Sequence, residues 1–328
     1  MEVVLNPSQR VLQVQPGANL LEVLLEHKVP MSYSCRAGRC GTCRCKVVDG
    51  DVLDGGRETR SPLDADSQSV LACQTFLTDP CTIELPEPGE IVVHPARIVK
   101  ATVAGIEDLT HDIKRLRLKA PKLLEYSPGQ HAYLQVMPNQ VRPYSMAGLS
   151  DGKELEFHVR RVPGGRVTGY LTHTLKVGDA VRVSGPLGTA YLRRKHEGPM
   201  LCVAGGTGLA PILSIVRGAV AEGMHNPIHL YFGVRSPRDI YGLAWLEQLR
   251  NEHAHLHVHV VVASGADPRK HRAGLVTDAI EADLKDLGGW RAYLCGSPPM
   301  VEAATLLTKR LGLPPERIHA DAFYTQGT

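Results

Sequence analysis

Residues 34–43 read SCRAGRCGTC, so that Cys35, Cys40 and Cys43 fall within one short loop. A further cysteine, Cys73, follows much later, in residues 71–76, LACQTF. Glycines between the first three cysteines let the backbone curl and turn its N–H groups toward the sulfur atoms. Three thiols from one tight loop and a fourth from a distant segment predict a shared metal centre with a small domain folded around it.

The spacing Cys-x4-Cys-x2-Cys with a lone fourth cysteine is typical of plant-type [2Fe–2S] centres. We therefore predict Cys35, Cys40, Cys43 and Cys73 as the cluster ligands. The alternatives are a zinc site, which would normally show two close cysteine pairs, or plain buried cysteines. Two other nearby cysteines, at positions 45 and 81, do not fit the spacing and are predicted to be core residues, because buried free cysteine is common.

Composition and charge narrow the class of protein. A chain of 328 residues is long enough for two or three domains. The net charge of +3 is too small to indicate nucleic-acid binding. Residues 1–90 hold 8 Lys and Arg against 13 Asp and Glu, whereas the rest holds 29 against 21, which favours separate domains.

The location of the protein is predicted from its first residues and its cysteines. The N-terminus, MEVVLN, lacks the basic and apolar regions of a secretory signal. The apolar residues 201–221 contain glycines, a proline and an arginine, so we interpret them as a strand and a helix rather than a membrane span. Clustered thiols in a reducing compartment indicate redox chemistry, and we expect a cytoplasmic protein without a membrane partner.

The spacing of apolar residues changes twice along the chain. These changes predict three domains, at 1–90, 91–197 and 198–328. The first shows short strands and one helix that begins after Asn19, and it ends in a proline-rich linker at 85–90. The second shows short strands separated by glycine turns, a pattern typical of a small antiparallel barrel. The third alternates strands with helices, which predicts an α/β domain with a parallel sheet.

A motif in the second domain suits a flavin. In residues 142–145, RPYS, Arg142 can neutralise a pyrophosphate, Tyr144 can lie against the ring, and Ser145 can hydrogen-bond the reactive edge. Residues 164–168, GGRVT, can form a second phosphate cradle from backbone N–H groups, Arg166 and Thr168. Each piece alone is a weak signal, and it is their order along the chain that favours a flavin site.

Two glycine turns in the third domain suit a nicotinamide dinucleotide. Residues 201–211, LCVAGGTGLAP, and 293–300, YLCGSPPM, each lead from a strand into a helix. Such turns at the carboxyl ends of parallel strands can face one crevice. After the next strand comes FGVRSPRD, where Arg235, Ser236 and Arg238 can hold a 2′-phosphate, so the choice between NADH and NADPH stays open. Arg238 can equally belong to a solvated basic loop.

The run NEHAHLHVH at residues 251–259 looks like a metal site, but we interpret it as a strand with one polar face, because no acidic or cysteine partner lies nearby.

With these three motifs in this order, the chain resembles the ferredoxin–NAD(P) reductase superfamily fused to an N-terminal ferredoxin domain. It is more closely similar to the reductase components of naphthalene-type aromatic-ring dioxygenases. The stretches SYSC at 32–35, RPYSMAG at 142–148, GPLGTAY at 185–191 and DAFY at 321–324 carry the resemblance, which covers essentially the whole chain.

The resemblance implies a multidomain α+β and α/β architecture. A β-grasp [2Fe–2S] ferredoxin domain is followed by a six-stranded antiparallel FAD-binding barrel and a parallel-sheet α/β domain that binds NADH or NADPH. It implies catalytic roles for Ser145, Cys295 and Phe323, with Tyr324 as the alternative aromatic residue over the flavin. Asp321 stands where relatives often have Glu, which leaves its role near the nicotinamide open.

Together with the motifs, the resemblance gives a predicted set of cofactor-binding residues: Arg142, Pro143, Tyr144, Ser145, His158, Val159, Arg160, Gly165, Arg166, Val167, Thr168, Gly206, Thr207, Gly208, Pro211, Gly233, Arg235, Arg238, Cys295, Gly296, Met300 and Phe323.

The resemblance also implies a function. Electrons from NAD(P)H would pass through FAD and the intrinsic cluster to a Rieske-type ferredoxin, which feeds a terminal oxygenase, and the reductase is expected to be a monomer. A reductase that reduces the oxygenase directly is one alternative, and a flavin-binding carrier or redox sensor without turnover is another. We also expect Arg36, Arg39, Arg44 and Lys46, around the cluster loop, to favour a partner with an acidic face.

Overall fold

The structure is a computed structural model that describes residues 1–31, 33, 38, 43–55, 69–85, 92, 94–137, 140–152 and 154–324. These residues fall into two units, Met1–Val93 and His94–Thr328. Two predicted cluster ligands, Cys35 and Cys40, lie outside the described residues, as do Arg36, Arg39 and the linker residues 86–90.

The first unit is built from short strands around one helix, α1 (Leu20–Glu26). The Asn19 side chain accepts hydrogen bonds from the backbone N–H groups of Leu21 and Glu22, so the predicted N-cap is confirmed. The apolar face of α1 packs into a core with the first strands. The strands are β1 (Glu2–Asn6), β2 (Arg10–Gln13), β3 (Ala18–Asn19), β4 (Arg44–Asp49), β5 (Val52–Asp54), β6 (Ser69–Leu71), β7 (Thr75–Leu77) and β8 (Cys81–Glu84).

The sheet order of this unit is that of a β-grasp. Five strands run in the order β2-β1-β8-β4-β6, and a smaller sheet has the order β3-β7-β5. The central pair β1 and β8 is parallel, whereas β1 pairs with β2 and β4 with β8 in antiparallel register. The predicted β-grasp domain is therefore confirmed.

The second unit begins with a six-stranded antiparallel sheet in the order β12-β11-β14-β9-β10-β13. A bridge between Met146 and Phe157 joins its two outer strands, so the sheet curls into the predicted barrel. A short helix, α2 (Arg166–Gly169), follows β13. The strands are β9 (Arg97–Asp108), β10 (Ile113–Lys119), β11 (His131–Met137), β12 (Gln140–Ser145), β13 (Glu154–Arg160) and β14 (Ala180–Leu187).

The rest of the second unit is a six-stranded parallel sheet in the order β18-β17-β16-β15-β19-β20. Its strands are β15 (Met200–Gly205), β16 (Ile228–Val234), β17 (Leu256–Val262), β18 (Arg272–Ala273), β19 (Arg291–Gly296) and β20 (Ile318–Ala322). Its helices are α3 (Leu209–Ala221), α4 (Leu243–Glu252), α5 (Val276–Asp283) and α6 (Pro298–Arg310). This confirms the predicted α/β domain.

Both faces of the parallel sheet are buried, which explains the continuous apolar run in β15. Cys202 and Ala204 face the core under α3 and α4, whereas Leu201 and Val203 face the core under α5 and α6. The apolar residues 201–221 thus form a buried strand followed by a buried helix, as predicted. The histidine-rich run lies partly in β17, so the predicted strand is confirmed there. Across the described ranges, every helix is too short or too polar to pass through a lipid bilayer.

Candidate active site

Two of the predicted cluster ligands lie side by side in the first unit. Cys43 directly precedes β4, and Cys73 lies in a short 3-10 turn, Ala72–Gln74, between β6 and β7. The Cys73 backbone N–H donates to Cys43 Sγ across 3.4 Å. Both thiols are buried and free of disulfides, so this part of the chain offers two adjacent sulfur ligands for an iron centre.

Cys45 and Cys81 are two further cysteines of the first unit. Both are buried in the apolar core of the first unit and form no disulfide. Burial raises the pKa of both thiols. Because only the thiolate binds metal well, a buried thiol held in its protonated form behaves as a small core residue. The prediction that both are core cysteines is confirmed.

The RPYS motif forms the end of β12, an outer strand of the barrel sheet. An outer strand tolerates Pro143, which has no backbone N–H to donate to a neighbour. The Arg142 guanidinium is half-buried and donates to the Val141 carbonyl across 2.7 Å. Burial raises the pKa of the Tyr144 hydroxyl, so this ring is a neutral, largely apolar surface.

The glycine loop before α2 is closed by Thr168. The Val162 backbone N–H donates to Thr168 Oγ1 across 3.1 Å, and that hydroxyl donates to the Gly165 carbonyl across 3.3 Å. A Cβ atom at Gly165 would lie 2.5 Å from Thr168 Oγ1, so only glycine fits there. The Thr168 hydroxyl thus holds the loop together, which leaves Arg166 and the backbone as the groups for a phosphate.

His158 has both ring nitrogens occupied within the protein. Its Nε2 lies 3.2 Å from Glu156 Oε1 and its Nδ1 lies 3.1 Å from the Tyr241 hydroxyl. Its side chain is fully buried, and burial lowers the pKa of the imidazole. Sequence reasoning placed His158 among the flavin contacts, and this geometry leaves only its backbone for that purpose. The next residue, Val159, is also buried in the barrel core.

The two glycine turns of the α/β domain follow neighbouring parallel strands, β15 and β19, in which Ala204 pairs with Cys295. A Cβ atom at Gly208 would lie 2.0 Å from the Cys295 carbonyl oxygen, and one at Gly296 would lie 2.6 Å from Met300 Cε. These positions require glycine because the turns pack directly against one another. The prediction that both turns lie at one edge of the sheet is confirmed.

The first turn also meets a charged group from the barrel. A Cβ atom at Gly206 would lie 2.9 Å from Arg160 Nη1, so the guanidinium lies directly against this turn. Arg160 is paired with Asp112, 3.3 Å away, and with Asp239, 3.7 Å away. Arg235 pairs with the same two carboxylates at 3.6 and 3.8 Å. Two arginines are thus held, with their charge partly balanced, at the carboxyl ends of β15 and β16.

The basic loop after β16 is anchored by Asp239. The Ser236 backbone and hydroxyl donate to Asp239 Oδ2 at 3.0 and 2.7 Å. Burial opposes ionisation of this carboxyl, but the Ser236 hydrogen bonds and the charge of Arg160 hold its pKa below the usual value. Arg238 is exposed on the same loop, whereas Gly233, at the end of β16, packs against Val276.

Three residues with predicted catalytic roles gather around Asp321 in β20. The Ser145 hydroxyl donates to Asp321 Oδ2 across 2.9 Å. Cys295 pairs with Asp321 in the parallel register of β19 and β20, and burial followed by that carboxylate raises the pKa of its thiol. The Phe323 backbone N–H donates to the Gly296 carbonyl across 2.8 Å. Residues from the barrel, from β19 and from the end of the described chain thus form one cluster.

His131 joins this cluster, although sequence reasoning did not identify it. It pairs directly with Ser145 across β11 and β12, and neighbours in such a pair point to the same face of the sheet. Burial lowers the pKa of its imidazole, while the charge of Asp321 opposes that shift. Its only sequence signal is its place in the PGQH turn before β11.

Comparison with known proteins follows the same division of the chain. Residues 3–78 match the family model of the 2Fe-2S iron-sulfur cluster binding domain. Residues 100–191 match the oxidoreductase FAD-binding domain, and residues 202–305 match the oxidoreductase NAD-binding domain. The chain is also 58% identical to the reductase component of the naphthalene 1,2-dioxygenase system, ferredoxin–NAD(P)(+), of Pseudomonas putida, with 100% of both chains covered. The chain belongs to the family of ferredoxin–NAD(P)(+) reductase components.

Two further relatives span the length of this reductase. It is 59% identical to the reductase component of the naphthalene 1,2-dioxygenase and salicylate 5-hydroxylase systems of a Ralstonia species, again over 100% of both chains. The crystal structure of the Amycolatopsis cytochrome P450 reductase GcoB matches it with a TM-score of 0.75 and 37% identity over 98% of each chain.

The described residues fit the cofactors of this oxidoreductase family. Two adjacent buried thiols, Cys43 and Cys73, suit an iron–sulfur cluster. Gly165 and Gly206 let the backbone lie close to Thr168 and Arg160, and Arg166 and Arg160 lie nearby to supply positive charge for phosphate. The reductase therefore combines domains for a [2Fe–2S] cluster, FAD and a nicotinamide dinucleotide.

Proposed function

We propose that the chain is an NAD(P)H-dependent ferredoxin reductase of a multicomponent, naphthalene-type aromatic-ring dioxygenase. Electrons pass from NAD(P)H through FAD and the intrinsic [2Fe–2S] cluster to a Rieske-type ferredoxin, and from there to a terminal oxygenase. The observation that carries the proposal is the cluster of Ser145, Cys295 and Asp321, in a chain that matches such reductase components over its full length.

The barrel supplies the flavin contacts in this proposal. Arg142 and Arg166 would neutralise the pyrophosphate of FAD, the Tyr144 ring would lie against the isoalloxazine ring, and the Ser145 hydroxyl would hydrogen-bond its reactive edge. Asp321 accepts the Ser145 hydrogen bond and so fixes the direction of that hydroxyl. The apolar walls of the flavin site would be formed by Pro143, Val159, Val167 and the backbone of His158. Of these residues, Val159 and Val167 are buried in the barrel core.

The α/β domain supplies the nucleotide contacts. The turn Gly206, Thr207 and Gly208 receives the pyrophosphate at the start of α3, where Pro211 lies in the first turn. The second turn, with Cys295, Gly296 and Met300, borders the nicotinamide. Arg235 and Arg238 follow the end of β16, where the 2′-phosphate on the ribose of NADPH would bind. Arg238 is exposed and is available to such a phosphate. Phe323, whose backbone N–H donates to the Gly296 carbonyl, would cover the flavin ring.

The protein contributes to this chemistry by placing the cofactors, and no acid–base catalytic group is needed. The bound cofactors supply the conversion of a two-electron hydride donor into single electrons. The protein contributes placement and exclusion of water: Cys295 is fully buried, and Ser145 is largely so. In the first unit, Cys43 and Cys73, with Cys35 and Cys40, hold the cluster through which single electrons leave.

The acceptor is a separate ferredoxin in this proposal, not the oxygenase itself. Two relatives that match over their full length are named as ferredoxin–NAD(P)(+) reductase components, which supports the ferredoxin route over direct reduction of an oxygenase. The oxidoreductase domains likewise weigh against a carrier without turnover.

We also retain the domain limits 1–90, 91–197 and 198–328 as part of the proposal. The family-model matches at 3–78, 100–191 and 202–305 each fall within one of them.

The protein is proposed to act in the cytoplasm as a monomer, without nucleic-acid or membrane partners. Size-exclusion chromatography with light scattering tests the monomer.

An anaerobic titration of the purified holoprotein with NADH, and separately with NADPH, tests the function. The visible spectrum should show reduction of both flavin and cluster, and added Rieske ferredoxin should then be reduced in turnover. Ferricyanide reduction without any reduction of a Rieske ferredoxin would contradict the proposed acceptor. Absence of any spectral change with either nucleotide would contradict the reductase itself.

A further inference from the structure

Gln74 lies directly after the cluster ligand Cys73, and its side chain folds back onto that ligand. Its Nε2 donates to the Cys73 carbonyl across 3.0 Å and lies 3.7 Å from Cys73 Sγ, within range of a hydrogen bond to sulfur. The side chain is half-buried. It can therefore hold one N–H toward the sulfur atom while the other stays fixed on the carbonyl.

Packing keeps the Gln74 side chain in this position. Gly38, in the cluster loop, has a φ of +74°, and a Cβ atom there would lie 2.9 Å from Gln74 Cγ. On the other side, the Gly55 backbone N–H donates to the Gln74 carbonyl across 2.8 Å. Asn19 Nδ2 also donates to the Cys73 carbonyl across 3.1 Å, which anchors the ligand segment to the start of α1. The Gln74 side-chain amide is thus held by the Cys73 carbonyl, and the backbone of Cys73 and Gln74 is anchored by Asn19 and Gly55.

A hydrogen bond to a ligand sulfur has a defined effect in a cluster. One-electron reduction adds negative charge that is shared with the sulfur atoms, so an N–H donor stabilises the reduced form more than the oxidised form. Reduction potentials of iron–sulfur centres depend on such hydrogen bonds. The Cys73 backbone N–H already donates to Cys43 Sγ, and a side-chain change at position 74 leaves that donor in place. Gln74 offers a side-chain donor to the other sulfur atom.

We propose that Gln74 is a positioning residue that raises the reduction potential of the cluster through its hydrogen bond to Cys73 Sγ. The proposal rests on the proposed function only in that Cys73 ligates a [2Fe–2S] cluster. Through this contact the protein sets how readily the cluster accepts single electrons and how readily it passes them to the ferredoxin.

The size of the effect follows from the type of bond. A single hydrogen bond of this kind contributes about 0.5–1.5 kcal/mol, so its loss should lower the equilibrium constant for cluster reduction about two- to thirteenfold. For a one-electron couple, this corresponds to a fall in midpoint potential of about 20–65 mV.

Three variants of the full-length holoprotein test the proposal in a redox titration with a chemical mediator and dithionite, followed by the electron paramagnetic resonance of the reduced cluster. Gln74→Leu removes the donor and should lower the midpoint potential. Gln74→Glu keeps the shape but replaces the donor by a negative charge and should lower it further. Gln13→Leu is the matched control, because Gln13 is exposed and its side chain donates to Glu2 Oε1. The cluster potential of this variant should equal that of the wild type.

A wild-type potential in Gln74→Leu would overturn the proposal. If that variant fails to assemble its cluster, Gln74→Glu decides, and a potential at or above the wild-type value overturns the proposal in the same way. The titration needs neither NAD(P)H nor a ferredoxin, so failure of the proposed electron route would not be mistaken for failure of this inference. A wild-type protein without the cluster signal would instead contradict the proposed function.

Discussion

The hydrogen bond between Ser145 and Asp321 gives the sharpest test of the active site. In the wild type, Ser145 Oγ lies 2.9 Å from Oδ2 of the half-buried Asp321. The substitution Ser145→Ala removes this donor and leaves the Asp321 carboxylate in place. Hydrogen bonds to charged groups contribute about 1.5–3 kcal/mol. Since about 1.4 kcal/mol is a factor of ten in rate, reduction of the flavin by NADH should slow about 10- to 100-fold. Stopped-flow absorbance under anaerobic conditions measures this step directly.

The control for that substitution is Ser150→Ala. Ser150 also lies in the barrel and donates to the Leu124 carbonyl across 3.0 Å, so the chemical change is the same. Its rate should stay at the wild-type value. In a double-mutant cycle with Asp321→Ala, the two losses should not multiply, because each substitution removes the same hydrogen bond. A wild-type rate in Ser145→Ala, or fully multiplicative losses, would refute the reasoning.

Three further results are expected. Gly208→Ala should raise the KM for NADH at least tenfold in steady-state assays, because the new Cβ would lie 2.0 Å from a carbonyl oxygen of the neighbouring turn. Gly152→Ala, where the Cβ would meet nothing within 4 Å, should leave KM unchanged. Glu156→Gln should lower the free energy of unfolding by about 3 kcal/mol, because it breaks a buried charge network. Burial raises the pKa of Glu156, but hydrogen bonds from His158 and Arg115 prevail and lower it to about 2. Above the unfolded-state pKa of Glu156, the wild type should therefore have this additional free energy of unfolding, and it should lose it as pH falls through about 2. Urea unfolding followed by tryptophan fluorescence should show this loss for the wild type and not for Glu156→Gln. Cys73→Ala should abolish the cluster in iron and visible-absorbance assays, whereas Cys45→Ala should retain it; cluster loss in both, or in neither, would contradict the ligand assignment.

Much of the fold could be predicted from local patterns. The alternation of buried strands with helices after Met200 fixed the α/β domain, because a parallel sheet needs a crossover between successive strands. Asn19 and the apolar face behind it marked the start of α1. The barrel followed from short strands and glycine turns. In each case, the signal lies within a few residues of the structure that it specifies.

The arrangement of the active site depends on contacts that no local pattern contains. Ser145 and Asp321 are 176 positions apart, and their hydrogen bond exists only because the parallel sheet brings the last strand to the barrel. The predicted set of cofactor-binding residues, which rests on the motifs and the family resemblance, includes His158. Its partner Tyr241 lies 83 positions away, and only the folded chain shows that this hydroxyl occupies one ring nitrogen.

The charged residues at the nucleotide turns show the same limit. The loop that contains Arg235 and Arg238 was evident from its composition, and Asp239 stood beside it. The pairing of Asp112 with Arg160 and Arg235 joins a turn of the barrel to the parallel sheet, and nothing in the sequence around Asp112 indicates it. Sequence therefore supplied the types of residue at the site, and tertiary packing determined which of them meet.

The central claim is that electrons from NAD(P)H leave this protein through its [2Fe–2S] cluster to a ferredoxin. The most direct measurement is the rate of Rieske ferredoxin reduction by NADH, compared between the wild-type holoprotein and a Cys73→Ala variant that retains its flavin. The account predicts that the variant still reduces ferricyanide at the wild-type rate but no longer reduces the ferredoxin. Undiminished ferredoxin reduction by the variant would contradict it.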